Sequence, residues 1–140
     1  MNDMTRIWRV PTPPPDRSLR EAMTRGFMGR CPSCGRGRLF SSYLKVVNAC
    51  EVCGEEFSGH RADDAPAYIT LLIVAHIVGA GVLMSDETWP HSSLVWVAGF
   101  WLLVTLVASV LILPRAKGAI VGQQWALGMH GFRSHLSDRT

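Results

Sequence analysis

The stretch Ala65 to Ser85, APAYITLLIVAHIVGAGVLMS, decides the fold of this chain because it contains no Asp, Glu, Lys or Arg. A second uncharged stretch, Thr88 to Pro114, follows the acidic pair Asp86 and Glu87. A helix needs roughly 20 apolar residues to cross about 30 Å of hydrocarbon, and both stretches reach that length. Backbone polar groups find no water inside a bilayer, so both spans must be helical. The sequence therefore predicts a two-helix transmembrane hairpin at 65–114, with spans at 65–85 and 91–114.

The distribution of basic residues predicts the orientation of this hairpin. Ten of the fourteen Lys and Arg residues precede the first span, four follow the second, and the connection between the spans has none. By the positive-inside rule, both termini of the multi-pass chain face the cytoplasm, and the lipid bilayer is its first partner. The first fifteen residues lack the apolar core of a secretory signal, so we expect no cleavage for export.

Four cysteines form two C-x-x-C pairs, Cys31 with Cys34 and Cys50 with Cys53, separated by fifteen residues. This spacing is typical of four-cysteine zinc sites, and cytosolic thiols stay reduced, which favours a metal over disulfides. A glycine follows each pair and tolerates the positive φ that such turns require. We predict one structural Zn²⁺ per chain, held by all four thiolates in a closed shell. A redox dithiol and an iron site are the alternatives, and the sequence leaves the choice between zinc and iron open.

The remaining segments complete the expected architecture. We predict an α-helical membrane protein in which a small β zinc ribbon precedes the hairpin and an interfacial segment follows it. The segments are a proline-rich disordered leader (1–17), a short basic helix begun by a Ser18–Glu21 capping box (18–30), the ribbon with its β-hairpin and polar neck (31–64), the transmembrane hairpin (65–114), and an interfacial helix and tail (115–140), with Trp125 as a membrane anchor. Gly26, Gly29, Gly118, Gly122 and Gly128 weaken the two flanking helices.

His76 is an ionisable residue near the middle of the first span, which makes it a functional candidate. We favour a neutral imidazole hydrogen-bonded to Thr105, Ser109 or a partner helix over a haem ligand or a proton relay. Ala75 and Gly79 form a small-xxx-small face on the same span, and the second span or another protein is its expected neighbour.

An acidic pair and a set of three aromatic residues can each be given either a structural or a functional role. Asp63 and Asp64 precede the first span, where Asp64 is expected to cap the helix rather than to bind a cation or a basic partner. Phe40, Tyr43 and Phe57 are expected to fill the ribbon core rather than to stack on nucleic-acid bases. A membrane-tethered nucleic-acid binder is therefore a minor alternative.

The Cys31 to Phe40 segment, the second cysteine pair, Arg61 to Tyr68 and Leu113 to Gly118 together resemble an uncharacterised bacterial zinc-ribbon membrane family, domain of unknown function 983. The resemblance runs from about Gly29 to Phe132. It implies the architecture above and the bacterial inner membrane as the location, but no activity. Some members are encoded beside haem-copper oxidase subunits and their assembly factors, which implies a membrane-protein partner of that kind.

These observations favour a protein without enzymatic activity. The sequence shows no paired nucleophile and base and no glycine-rich phosphate loop, and its metal site is closed. We expect an accessory or assembly factor of a membrane complex, with a haem-copper oxidase as the specific candidate. A redox or haem-handling protein that uses His76 or labile thiols is the main alternative.

Overall fold

The computed structural model describes residues 17–59, 64–129 and 132, and these residues form three helices. They are α1 (Leu19–Phe27), α2 (Ala65–Thr88) and α3 (Leu94–Ala126). The two long helices follow the predicted spans, and both are long and apolar enough to cross a membrane. The predicted leader lies outside the described residues except for its last position, and most of the predicted tail lies outside them too.

Helix α1 begins and ends at residues whose chemistry suits a helix terminus. The Ser18 Oγ accepts a hydrogen bond from the Glu21 N–H at 3.4 Å, which confirms Ser18 as the N-cap. At the other end Gly29 takes a φ of +72°, while its N–H donates to Gly26 and the Arg30 N–H donates to Arg25. This pair of bonds is a Schellman motif, which requires a residue with positive φ. Gly29 therefore terminates the helix rather than weakening its interior.

Helix α3 continues well beyond the predicted end of the second span at Pro114. A proline within a helix has no N–H for the carbonyl four residues earlier, which here is the Val110 carbonyl. The Tyr43 hydroxyl donates to that carbonyl at 2.5 Å and replaces the missing donor. The predicted separate interfacial helix is thus, as far as Ala126, the last third of α3. It ends in a second Schellman motif at Gly128, where φ is +62°.

Helix α1 packs against this last part of α3 through small residues. A Cβ on Gly26 would collide with the Gly118 carbonyl, and a Cβ on Gly118 would collide with the Gly26 carbonyl. A Cβ on Gly122 would likewise collide with the Ala22 carbonyl. Each glycine costs about 1 kcal/mol of helix propensity relative to alanine, but here its missing side chain allows the two backbones to touch.

The contact between α2 and α3 involves Gly81 and Trp101. The Trp101 indole covers Gly81, where a Cβ would overlap the ring, and its Nε1 donates to the Ser85 Oγ at 2.8 Å. Ser85 in turn donates to the Gly81 carbonyl at 2.8 Å, so these polar groups inside the hairpin are paired. A Cβ on Gly79 would meet nothing within 4 Å. The second span therefore does not occupy the face on which Gly79 lies.

Residues 31–57, here called the cysteine module, contain isolated antiparallel bridges instead of the predicted β-hairpin. The bridges in and beside the module pair Arg30 with Arg38, Phe40 with Val46, and Ala49 with Glu56, and the described part of the chain has no β-strand longer than a single bridge. The two cysteine turns take up much of this short segment and leave little length for extended pairing. Leu39 and Phe57 are fully buried at its centre, and the Phe57 ring meets Phe132 edge-on at 6.1 Å between centroids.

Candidate metal centre

The four predicted ligands come together in the structure. Their Sγ atoms all lie within 4.8 Å of one another, with 3.7 Å between Cys31 and Cys53 and 3.8 Å between Cys34 and Cys50. A tetrahedral site with Zn–S bonds of about 2.3 Å has edges of about 3.8 Å. A disulfide would require about 2.05 Å, so none is formed. The cluster has the size of a four-thiolate metal site, and four thiolates fill a tetrahedral shell.

Both cysteine pairs sit in turns of the same design. The Gly35 N–H donates to the Cys31 carbonyl at 2.8 Å, and the Gly54 N–H donates to the Cys50 carbonyl at 2.9 Å. Gly35 has a φ of +69° and Gly54 a φ of +74°, a region that other L-residues rarely adopt. The prediction that these two glycines permit the turns is confirmed.

Gly37 is a third glycine that the site requires, beyond the two that the sequence predicts. A Cβ at this position would collide with the Sγ of Cys50. The Gly37 carbonyl also accepts the Cys31 N–H at 2.8 Å, which closes the first turn. The absence of a side chain therefore lets the first turn approach a ligand of the second pair. The local sequence Gly35-Arg36-Gly37 does not indicate this contact with Cys50.

The thiols differ in pKa because their surroundings differ. Burial raises the pKa of Cys31 and of Cys53, and backbone N–H groups only partly oppose it. Burial acts in the same direction at Cys34, but hydrogen bonds from the Gly37 and Arg36 N–H groups lower its pKa to about 6. A metal can bind only the thiolate forms, so it must displace protons from Cys31 and Cys53 near neutral pH.

Arg25 of α1 is hydrogen-bonded to the first cysteine turn. Its guanidinium donates to the carbonyls of Pro32 at 3.2 Å and Ser33 at 3.1 Å, and it pairs with Glu21 at 3.2 Å. The contact between Arg25 and the cysteine turn is not predicted from the sequence, because nothing in the local pattern places α1 beside the turn. The guanidinium brings positive charge close to a cluster that, with four thiolates and Zn²⁺, carries a formal charge of minus two.

The second cysteine turn is linked to the end of α3 through Trp125. Its indole Nε1 donates to the Glu55 carboxylate at 2.9 Å, and the guanidinium of Arg17 lies 4.3 Å from the ring centroid. Only 7% of Trp125 is exposed, so the expectation of a membrane anchor at this residue is wrong. The indole instead joins α3 to the residue that follows Gly54. Both cysteine turns are thus attached to helices.

His76 lies apart from the metal cluster and does not contact Thr105 or Ser109. Its Nδ1 lies 2.7 Å from the Leu72 carbonyl of the same helix and therefore acts as the donor. Thr105 donates to the Trp101 carbonyl and Ser109 to the Thr105 carbonyl, so both hydroxyls are used within α3. The predicted interhelical partners are therefore wrong for the single chain, and the His76 side chain is exposed.

The other candidate residues divide between the helix entrance and the module. Asp64 occupies the N-cap position of α2, but its side chain makes no capping hydrogen bond, contrary to the prediction. Asp63 and Arg61 lie outside the described residues. Among the three aromatic residues, Phe57 is fully buried and Phe40 is partly buried, whereas Tyr43 is half exposed and reaches α3 instead of the module core.

Comparison with known proteins identifies one family for this chain. Residues 40–125 match the family described as "Protein of unknown function (DUF983)". The match covers the second cysteine pair, all of α2 and nearly all of α3, and it begins after the first pair, so it is shorter than the expected range of Gly29 to Phe132. Neither the curated proteins nor the solved structures gave a match. Because the matched segment makes up more than half of its length, the chain belongs to the DUF983 family.

Proposed function

We propose that this protein is a non-enzymatic accessory or assembly factor of a complex in the bacterial inner membrane. The main support for a location in the membrane is the exposure of the apolar side chains on α2 and α3. Leu94, Val95 and Trp96 are 81%, 79% and 80% exposed, and Leu83 is 79% exposed. A core helix of a soluble protein with this composition would be buried, so a bilayer is the surrounding that fits these side chains.

A structural role for the metal follows from its complete set of protein ligands. Catalytic zinc sites keep one position open for water or substrate, whereas the four thiolates here leave none. The metal would instead hold the two cysteine turns together. Through Arg25 and Trp125 it would also hold the module in a fixed position on α1 and α3. Such a rigid module on the cytoplasmic side is suited to binding a cytoplasmic loop of another protein.

The face of α2 that carries Ala75, His76 and Gly79 is the proposed site of lateral binding to a partner helix. All three residues are exposed, and nothing lies within 4 Å of a Cβ built on Gly79. Small residues four apart let another helix approach closely, and a neutral imidazole that donates through Nδ1 accepts through Nε2. We propose a subunit of a haem-copper oxidase as the partner, a choice that depends on the family resemblance and not on the geometry.

Copurification from mild detergent tests this proposal. We expect a membrane complex to copurify with the wild-type chain and to be lost with Gly79→Leu, which fills the face of α2. Gly99→Leu is the matched control, since Gly99 on α3 also has nothing within 4 Å of its Cβ position but has no small residue four positions away. Equal recovery with both variants would contradict lateral binding at Gly79. Normal oxidase content in a deletion strain would exclude the oxidase as the partner.

A further inference from the structure

A cleft of about 420 Å³, here called the module cleft, opens between the end of α1, the cysteine module and α3. It is lined by Phe27, Met28, Gly29, Phe40, Pro114 and Arg115. Its volume falls in the range of about 300–1,000 Å³ that ligand sites occupy. An apolar lining with a single cation is also a common composition for such sites, so the module cleft is a candidate binding site.

The depth of the module cleft in a membrane follows from the length of α3. From Leu94 to Pro114 the helix rises about 30 Å at 1.5 Å per residue, which matches the thickness of the hydrocarbon layer. Arg115 is the first charged residue after Glu87, so it marks the level at which α3 leaves that layer. The Tyr43 hydroxyl reaches Val110, about one helical turn further in, and brings the module against the same membrane surface. The cleft therefore opens at the level of the lipid headgroups.

Two of the apolar side chains that line the cleft are exposed although they belong to a folded segment. Phe27 is 51% exposed and Met28 is 72% exposed at the end of α1. Exposing either side chain to water is unfavourable, but at this depth in the membrane the neighbouring molecules are lipids. Arg115 adds the charge: its guanidinium donates to the Leu111 carbonyl at 2.6 Å and has further N–H groups that can bind a phosphate.

We propose that the module cleft binds one anionic phospholipid of the leaflet on the side of the cysteine module. The first carbons of its acyl chain lie against Phe27 and Met28, and its phosphate binds Arg115. The lipid would then contact α1, the module and α3 at the same time. This inference rests on the membrane location proposed above, but not on any protein partner.

Native mass spectrometry of the full-length, zinc-loaded chain tests the proposal. After exposure to equal amounts of phosphatidylglycerol and phosphatidylcholine, we expect one phosphatidylglycerol to be retained per chain. Loss of a charge-assisted contact should make Arg115→Gln retain it about tenfold less. Arg115→Lys, which keeps the charge without the bidentate geometry, should be intermediate. Arg20→Gln, at an exposed arginine outside the cleft, should retain lipid like the wild type.

Further variants distinguish the apolar wall and the source of the phosphate. Met28→Gln should lower lipid retention, whereas Val52→Gln, at a residue that is 60% exposed outside the cleft, should not. Inorganic phosphate should not displace the lipid, since it lacks an acyl chain. Equal retention of both lipids, an unchanged Arg115→Gln variant, or displacement by phosphate would overturn the proposal. Release of the chain from membranes by alkaline carbonate would instead refute the membrane location itself.

Discussion

At the scale of single residues, the four-cysteine cluster is shaped by glycines, by an arginine and by thiols that differ in pKa. Gly35 and Gly54 supply positive φ, and Gly37 supplies the space next to the Sγ of Cys50. Arg25 holds the first turn by its carbonyls. Because backbone N–H groups lower the pKa of Cys34 to about 6 while burial raises those of Cys31 and Cys53, the ligands lose their protons at different pH values.

These pKa shifts predict how zinc binding depends on pH. Protons compete with the metal for the thiolates, so affinity should rise with pH and zinc should be lost on acidification. Above about pH 6 the Cys34 thiol is already ionised, and below it Cys34 also binds a proton that zinc must displace. A plot of the logarithm of affinity against pH should therefore become steeper by about one unit below pH 6. Chelator competition with counted proton release measures this.

A control variant tests whether the extra proton belongs to Cys34. In Cys34→Ser the site has lost that thiol, so its weaker metal binding should show no such change of slope near pH 6. The same change of slope in both proteins would mean that another group titrates there.

Metal analysis of the wild type should give one zinc per chain, and iron in its place would contradict the predicted metal.

At the scale of helices, the cysteine module supports α3 at Pro114. The proline leaves the Val110 carbonyl without its intrahelical donor, and the Tyr43 hydroxyl takes that place. Beyond this point, the Gly26–Gly118 and Ala22–Gly122 contacts attach α1 to the same helix. The cysteine module therefore stabilises the segment of α3 that carries it.

We expect Tyr43→Phe to destabilise the protein by about 1 kcal/mol or more, because a carbonyl in an apolar surrounding loses its partner. Tyr68→Phe is the control, since Tyr68 is 71% exposed on α2. In a Pro114→Ala background the new N–H can bond the Val110 carbonyl, so Tyr43→Phe should then cost much less. Reversible unfolding of the wild type, the two single variants and the double variant in detergent, treated as a double-mutant cycle, measures this coupling. Additive effects would show that Tyr43 acts elsewhere.

At the scale of the whole molecule, the chain combines an apolar hairpin with the cysteine module, which is fixed at one of its ends. The ends of the described hairpin are unequal. One carries Arg115 and Lys117 together with the Arg and Lys residues of the cysteine module, and the other carries Asp86 and Glu87 and no Lys or Arg. This asymmetry is the physical basis for the proposed orientation, since basic residues remain on the cytoplasmic side during insertion.

Cysteine labelling in intact cells tests that orientation. Thr88→Cys, at the end of α2, should react with an impermeant thiol reagent from outside. Ser42→Cys, at an exposed position of the module, should react only after the membrane is permeabilised. The reverse labelling pattern would show that the orientation is opposite to the proposed one.

Several lysines inserted between Ser85 and His91 should disturb the insertion of the hairpin, because they remove the charge asymmetry.

The sequence alone determined the two long apolar helices, the set of four cysteines, the cap at Ser18 and the need for glycine after each cysteine pair. These features depend on charge content and on spacings of a few residues, which can be read locally. Only the tertiary structure decided that α3 continues through Pro114, that Trp125 is buried and that Gly81 rather than Gly79 meets the second span. The donor for Val110 lies 67 positions away, and the partner of Trp125 lies 70 positions away. Contacts over such separations depend on how the elements pack, and no local pattern encodes them.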